Sequence, residues 1–140
     1  MNYYNKIKNK LIDNKVYKEV KDYSKNKNDL TTYYAVGKLL YEAGNKYGEG
    51  IIKKYSERLV IEVGRNYNER TLRRIRQFYL VFKDEIWSTM STKLMWSHYT
   101  EILSLSNINE INYSINITEE YNLSVRELRE RLKTKNIKYY

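Results

Sequence analysis

The chain of 140 residues contains no cysteine, no proline and one histidine, His98. Without cysteine there is neither a disulfide framework nor a thiolate metal site. One imidazole is too few for the usual catalytic zinc set. Without proline, helices can run uninterrupted, and glycine or Asn, Ser and Thr caps must set their ends. No apolar run approaches the ~18 residues of a membrane-spanning helix. The start, Met1-Asn2-Tyr3-Tyr4-Asn5-Lys6, lacks the apolar core of a secretion signal. The chain therefore reads as soluble and cytoplasmic, with no membrane partner, no metal site and no cofactor.

Enzyme signatures are missing too. Gly44-Asn45-Lys46-Tyr47-Gly48-Glu49-Gly50 lacks the Gly-Lys-Ser/Thr ending of a phosphate loop. There is no Gly-x-Ser-x-Gly elbow and no His-Glu-x-x-His. A metal-dependent nuclease needs acidic residues and a lysine on neighbouring strands. Asp84-Glu85 is a lone acidic pair in a helical context and reads as a solvated helix end. His98 reads as a packed or hydrogen-bonded structural residue. The expectation is a non-enzyme.

What the chain has is positive charge and tyrosine. It carries 26 Lys plus Arg against 17 Asp plus Glu, a net charge of +9. That balance favours a polyanionic partner, chiefly nucleic acid. Sixteen tyrosines supply many of the large side chains, and buried ones need partners for their hydroxyls.

The periodicity is helical throughout. Ile7, Leu11, Val16, Val20 and Tyr23 make a narrow apolar stripe in a Lys-rich segment, read as a basic N-terminal helical extension over 1–28 with a loop at 24–28. A helix capped by Asn28 carries Leu30, Tyr33, Tyr34, Gly37, Leu40 and Tyr41 on one face, and Gly44 is its expected stop. Gly37 on that face permits close helix packing. The next helix, 49–63, has Ile52, Tyr55, Leu59 and Val63 on one side and ends at Gly64. Residues 84–92 form a polar connector with Trp87, ahead of a helix over 92–104. Asn107 with Glu110 opens a helix through Tyr121, with Ile108, Ile111, Ile115 and Tyr121 inward. The β-branched run 111–117 also suits a short strand. Ser124 with Glu127 is a capping box for the last helix, with Val125, Leu128 and Leu132 inside. The main domain spans 29–134 and the basic tail 135–140. The expected fold is a mainly α, compact helical domain with at most a small β-wing, at 84–92 or 111–117.

The stretch from Glu49 to Phe82 organises this pattern. Its second helix, 69–82, starts at the cap Asn68 and holds Leu72, Ile75, Phe78, Tyr79 and Phe82 on one face. At ~100° per residue, Arg70, Arg73 and Gln77 fall on the opposite side, with Arg74 and Arg76 on its borders. Residues 65–83 carry Arg65, Arg70, Arg73, Arg74, Arg76 and Lys83 against Glu69 alone, more than half of the whole-chain excess. A helix, a glycine turn and a second, basic helix make a helix-turn-helix pattern. Arginine suits phosphate oxygens and guanine edges. In the last helix, Arg126, Arg129 and Arg131 are further candidate phosphate contacts.

Several motifs, in order and spacing, resemble the N-terminal domain of YhcG-like bacterial proteins. Tyr33-Tyr34-Ala35-Val36-Gly37 is similar to Tyr-Trp-x-Ile-Gly, and Tyr47-Gly48 to Trp-Gly. Asn66-Tyr67-Asn68 resembles Gly-Phe-Ser. Leu72 with Arg76-Gln77-Phe78-Tyr79 resembles the family's Leu and Arg-Gln-Phe-Tyr. Leu94-Met95-Trp96-Ser97-His98 is similar to Leu-Pro-Trp-Gly-His, and Ser124 with Leu128 to Trp-Ser-x-x-x-Leu. The resemblance runs from about Leu30 to Lys133. Two tryptophans are tyrosines here, Tyr34 and Tyr47, and Ile61-Glu62 replaces a Phe-Pro. It implies a winged helix-turn-helix type DNA-binding module, and it gives Trp96 and His98 a motif role. Full-length members continue into a PD-(D/E)XK-type nuclease domain. This chain stops at Tyr140, so the family's catalytic activity is not expected of it.

The expected function is therefore non-catalytic binding of nucleic acid, chiefly double-stranded DNA, with 69–82 as the recognition helix. Arg70, Arg73, Arg74 and Gln77 would face the groove, and Arg65 and Lys83 the phosphates. Helix-turn-helix units usually read two half-sites, which suggests a homodimer. The alternative is a protein-interaction regulator or mobile-element product that engages a nuclease or defence complex. A third reading makes the chain a fragment of a longer, nuclease-bearing protein.

Overall fold

Apolar residues at three- and four-residue steps drive helices, and helices account for all regular structure among the described residues. The computed structural model describes residues 2–20, 25–83, 94–105 and 107–134. The helices are α1 (Tyr3–Val20), α2 (Lys25–Tyr47), α3 (Gly50–Glu62), α4 (Glu69–Phe82), α5 (Trp96–Ile102), α6 (Ile108–Tyr121) and α7 (Val125–Lys133). No strand occurs among the described residues, so the mainly α expectation holds. The run 111–117 lies inside α6, which overturns the strand reading there. Ile111 and Ile115 stand one helical turn apart, and both are buried, as is Ile117. The expected connector 84–92 with Trp87, the pair Asp84-Glu85 and the tail 135–140 lie outside the described residues.

The chain divides into two compact units, Met1–Asp84 and Glu85–Tyr140. In the first, α2 is central and packs against α1, α3 and α4. The expected boundary after residue 28 falls inside α2. The expected loop at 24–28 is helical from Lys25 onward. The reason is that α1 is no loose extension. Tyr4, Ile7 and Leu11 are buried in the core, and the buried Asn14 donates from Nδ2 to Asp29 Oδ1 at 2.8 Å. Val16, expected in the stripe, is exposed.

Gly37 does what its position suggested. A Cβ built there would lie 2.7 Å from Tyr79 Cβ and closer still to the Ile75 carbonyl oxygen. Its missing side chain lets the backbone of α2 come up against the Ile75 carbonyl and the Tyr79 Cβ of α4. Gly44, however, is not the stop. The helix runs on to Tyr47 and ends at Gly48, whose φ of +92° is left-handed and whose N–H bonds the Gly44 carbonyl at 2.8 Å. Only the second glycine adopts the backbone that a helix end needs.

In the second unit, α5 is shorter than the expected 92–104 helix and packs with α6 and α7. Tyr99, Ile102, Ile111, Ile115, Leu123 and Leu128 form its core. Ile108 and Tyr121, expected inside, are exposed at the two ends of α6. A helix end projects past its neighbour, so periodicity alone does not bury it. The buried hydroxyls of Ser114 and Thr118 donate to the carbonyls of Glu110 and Ser114, each at 2.7 Å. Asn122, at φ 51°, closes α6. Ser124 and Glu127 form both halves of their capping box, at 2.9 and 3.1 Å. Asn107 makes only the forward half, accepting from Asn109 and Glu110.

Candidate nucleic-acid interface

The site begins with why α4 starts where it does. Asn68 Oδ1 accepts the Thr71 N–H at 3.0 Å, and Glu69 places an acid in the first turn. Ahead of it, α3 closes as the Val63 and Gly64 N–H groups both bond the Leu59 carbonyl, at 2.8 and 3.0 Å. The turn over 63–68 is held by Tyr67, which is buried and whose hydroxyl lies 3.3 Å from that of Tyr33. Burial pushes the Tyr33 hydroxyl well above the usual tyrosine range. Leu72, Ile75, Phe78 and Phe82 are buried and Tyr79 packs on α2 beside Gly37, which leaves Arg70, Arg73, Arg74 and Gln77 on the outward side.

The cations on that side fall into two groups. Arg70, and Arg65 on the turn, are exposed and have no ion-pair partner among the described residues. Arg74 donates to Gln77 Oε1 at 2.9 Å. Lys83 Nζ stands 5.5 Å from the Tyr41 ring centroid. Arg70, Arg73, Arg74 and Gln77, with Glu69, line one open depression of about 480 Å³.

Arg73 and Arg76 are held by acids. Arg73 bonds Glu69 Oε2 through Nε and Nη2, at 2.9 and 2.7 Å, and reaches Glu49 Oε2 at 3.2 Å. Arg76 Nη1 contacts both oxygens of Glu49, at 2.8 and 2.9 Å. The Arg76 side chain is only 17% exposed, so it is set further in than its border position on the helical wheel implied. The hydrogen bond from Arg76 holds the Glu49 carboxyl below the usual carboxylate range, and Arg73 adds to this. Glu69 in turn raises the Arg73 guanidinium, with a smaller contribution from Glu49. Sequence reasoning missed Glu49. The Glu69–Arg73 pair is readable from its four-residue spacing, but nothing local links Glu49 to residues 73 and 76.

The other candidates lie in the second unit. Arg126 is exposed on α7. Arg129 forks onto Glu101 Oε1 from Nε and Nη2, at 2.9 and 2.7 Å. Arg131 lies 5.4 Å from the Tyr121 ring centroid. His98 is buried. Its Nδ1 accepts the Met95 N–H at 3.0 Å, so Nε2 carries the proton and donates to the Leu123 carbonyl at 2.9 Å. Trp96 is half-buried at the first position of α5. Among the described residues no three His, Asp or Glu side chains cluster as a metal site. No helix among them is long and apolar enough to cross a membrane.

A second hollow, of about 440 Å³, lies where α1, α2 and α3 meet and is lined by Asn2, Tyr3, Tyr4, Tyr47, Ile51, Tyr55 and Arg58. Arg58 stacks 3.8 Å over the Tyr4 ring, and Tyr4 donates to Glu62 Oε1 at 2.6 Å.

No curated protein and no solved structure matches the chain. Residues 7–138 do match one family model, that of the DUF1016 N-terminal domain. The match takes in nearly every helix, including the Tyr33–Gly37, Arg76–Tyr79 and Leu94–His98 motifs, and on it the chain belongs to the DUF1016 N-terminal domain family.

Proposed function

We propose that α3, the turn over 63–68 and α4 act as a helix-turn-helix unit that binds double-stranded DNA without catalysis. One observation carries the reading. The outward side of α4 gathers Arg70, Arg73, Arg74 and Gln77 around one depression, and Arg70 and the neighbouring Arg65 have no acidic partner among the described residues. An α-helix fits the major groove, where arginine reads guanine and glutamine reads adenine. In this reading Arg70, Arg74 and Gln77 meet base edges, and Arg65 and Lys83 meet phosphates. Arg126, Arg129 and Arg131 add phosphate contacts. A cytoplasmic homodimer would read two half-sites about 34 Å apart.

The test is a fluorescence-anisotropy titration with duplex DNA, single-stranded DNA and RNA at two salt concentrations. Duplex should bind tightest, with a steep loss of affinity as salt rises. The double change Arg70→Ala with Arg74→Ala should weaken duplex binding by about 1–3 kcal/mol for each base edge left unread. Unchanged affinity would remove α4 from the interface.

The tyrosine-lined hollow favours a second reading, a protein partner such as a nuclease or defence-complex subunit engaged by a mobile-element product. Tyrosine and arginine are the side chains that concentrate binding energy at protein interfaces, and Tyr47 is half exposed at its rim. A partner that stays bound after nuclease treatment and is lost with Tyr47→Ala supports this reading. Complete loss on nuclease treatment rejects it.

A further inference from the structure

We propose that Arg73 and Arg76 form a phosphate fork that Glu49 fills in the unbound chain, and that a backbone phosphate displaces Glu49 when nucleic acid binds. This rests on the DNA reading above. Glu49 immediately precedes α3, and its carboxylate receives Arg76 on both oxygens, at 2.8 and 2.9 Å, and Arg73 on one, at 3.2 Å. Two guanidinium groups from neighbouring turns of one helix thus converge on a single pair of oxygens. A phosphodiester presents the same paired, negatively charged acceptors.

The exposures say which partner gives way. The Glu49 side chain is 67% exposed, whereas Arg76 is 17% exposed. The arginine is fixed by its surroundings, and the acid covers it from the solvent side. Glu69 does not play this part. It lies on α4 itself, four residues before Arg73, and bonds a different edge of that guanidinium. A solvent-exposed ion pair contributes little net free energy, so exchange is cheap for the protein. A phosphate that enters the fork also releases counterions, which a carboxylate already in place cannot do. Glu49 therefore lowers affinity for any polyanion and leaves tight binding to ligands whose other groups engage Arg70 and Arg74 at the same time.

Three proteins test this: the unaltered chain, Glu49→Gln, and Glu57→Gln as a charge control on the exposed side of α3. Glutamine keeps the size of Glu49 and one acceptor oxygen, and thermal melts report on folding. Glu49→Gln should bind duplex DNA about two- to fivefold more tightly, the range set by the small free energy of an exposed pair. Its log–log salt slope should match that of the unaltered chain, because the same phosphate fills the fork in both. Glu57→Gln should leave the affinity unchanged. Inorganic pyrophosphate should raise the melting temperature of Glu49→Gln more than that of the unaltered chain. Duplex binding that responds to Arg70 and Arg74 changes but not to Glu49→Gln would overturn the fork and leave the DNA reading standing. Pyrophosphate stabilisation of Glu49→Gln with no duplex binding by any of the proteins would support the fork and overturn the DNA reading.

Discussion

Replacing Gly37 with alanine should destabilise the first unit, although alanine is the better helix former. Mid-helix alanine gains about 1 kcal/mol over glycine. Against that, the new Cβ would sit 2.7 Å from Tyr79 Cβ, 3.2 Å from the Ile75 carbonyl carbon and closer still to its oxygen. Ordinary carbon contacts lie at about 3.5–4.0 Å. The obstacles are backbone and a Cβ, and neither can rotate away. The two helices must therefore separate by roughly 1 Å across the face that buries Val36, Leu40, Leu72 and Ile75. Overpacking of this kind costs about 1–3 kcal/mol, and the rigid contacts place it at the upper end. The net loss is about 2 kcal/mol, equivalent to a fall in Tm of roughly 10 °C for a unit of this size. Gly44 is the built-in control. Its Cβ would meet only the tip of Arg76, at 3.7 Å, so Gly44→Ala should stabilise by about 0.5–1 kcal/mol. Urea titrations followed by circular dichroism at 222 nm measure both. Opposite signs are expected. A Gly37→Ala chain as stable as the parent, or two shifts of the same sign, would refute the close-approach argument.

His98→Phe should cost the second unit about 2–4 kcal/mol, because it leaves the Met95 N–H and the buried Leu123 carbonyl without their partner; equilibrium unfolding of the full chain would show the loss. Ser124→Ala removes a two-way capping box and Asn68→Ala a single cap, so each should lower stability by about 1 kcal/mol in the same assay, with Ser124 the larger. The Tyr4 hydroxyl is pushed up to about 12, first by burial and then by its bond to Glu62. A folded pKa above the unfolded one means its contribution is complete below about pH 10 and is lost as pH rises towards 12. Urea melts of Tyr4→Phe between pH 9 and pH 12 should therefore fall less steeply than those of the parent, and parallel curves would count against the Tyr4–Glu62 bond. The Glu62 carboxyl is held below its usual range, first by the bond from Tyr4 and then by Lys8. Its contribution is present above the ordinary carboxylate range and fades as pH falls through the lowered value, so Glu62→Gln should flatten the acid limb of the same melts.

Legibility followed the range of the interactions. The start of α4 at its cap Asn68 and the box at Ser124–Glu127 were readable because their donors and acceptors lie within three residues of one another. The face carrying Arg70, Arg73 and Gln77 was readable because 3.6 residues make one turn. The close approach at Gly37 was readable because a glycine stood in an apolar stripe. Burial at helix ends was not, as Ile108 and Tyr121 show, since period says which side faces a neighbour and not how far the neighbour extends. Nor was the choice between Gly44 and Gly48 as a stop, since both suit a helix end and only the packing of α2 decides where the chain must turn.

The sequence by itself determined that this chain is helical, basic and free of the usual catalytic signatures, and it placed the arginines of α4 on one side. The tertiary structure decided which of them are committed. Arg76 and Arg73 meet Glu49 across 27 and 24 residues of chain, and Arg129 meets Glu101 across 28. Such pairs leave no mark in local spacing, because they exist only once separate helices have packed and brought distant charges within hydrogen-bond reach.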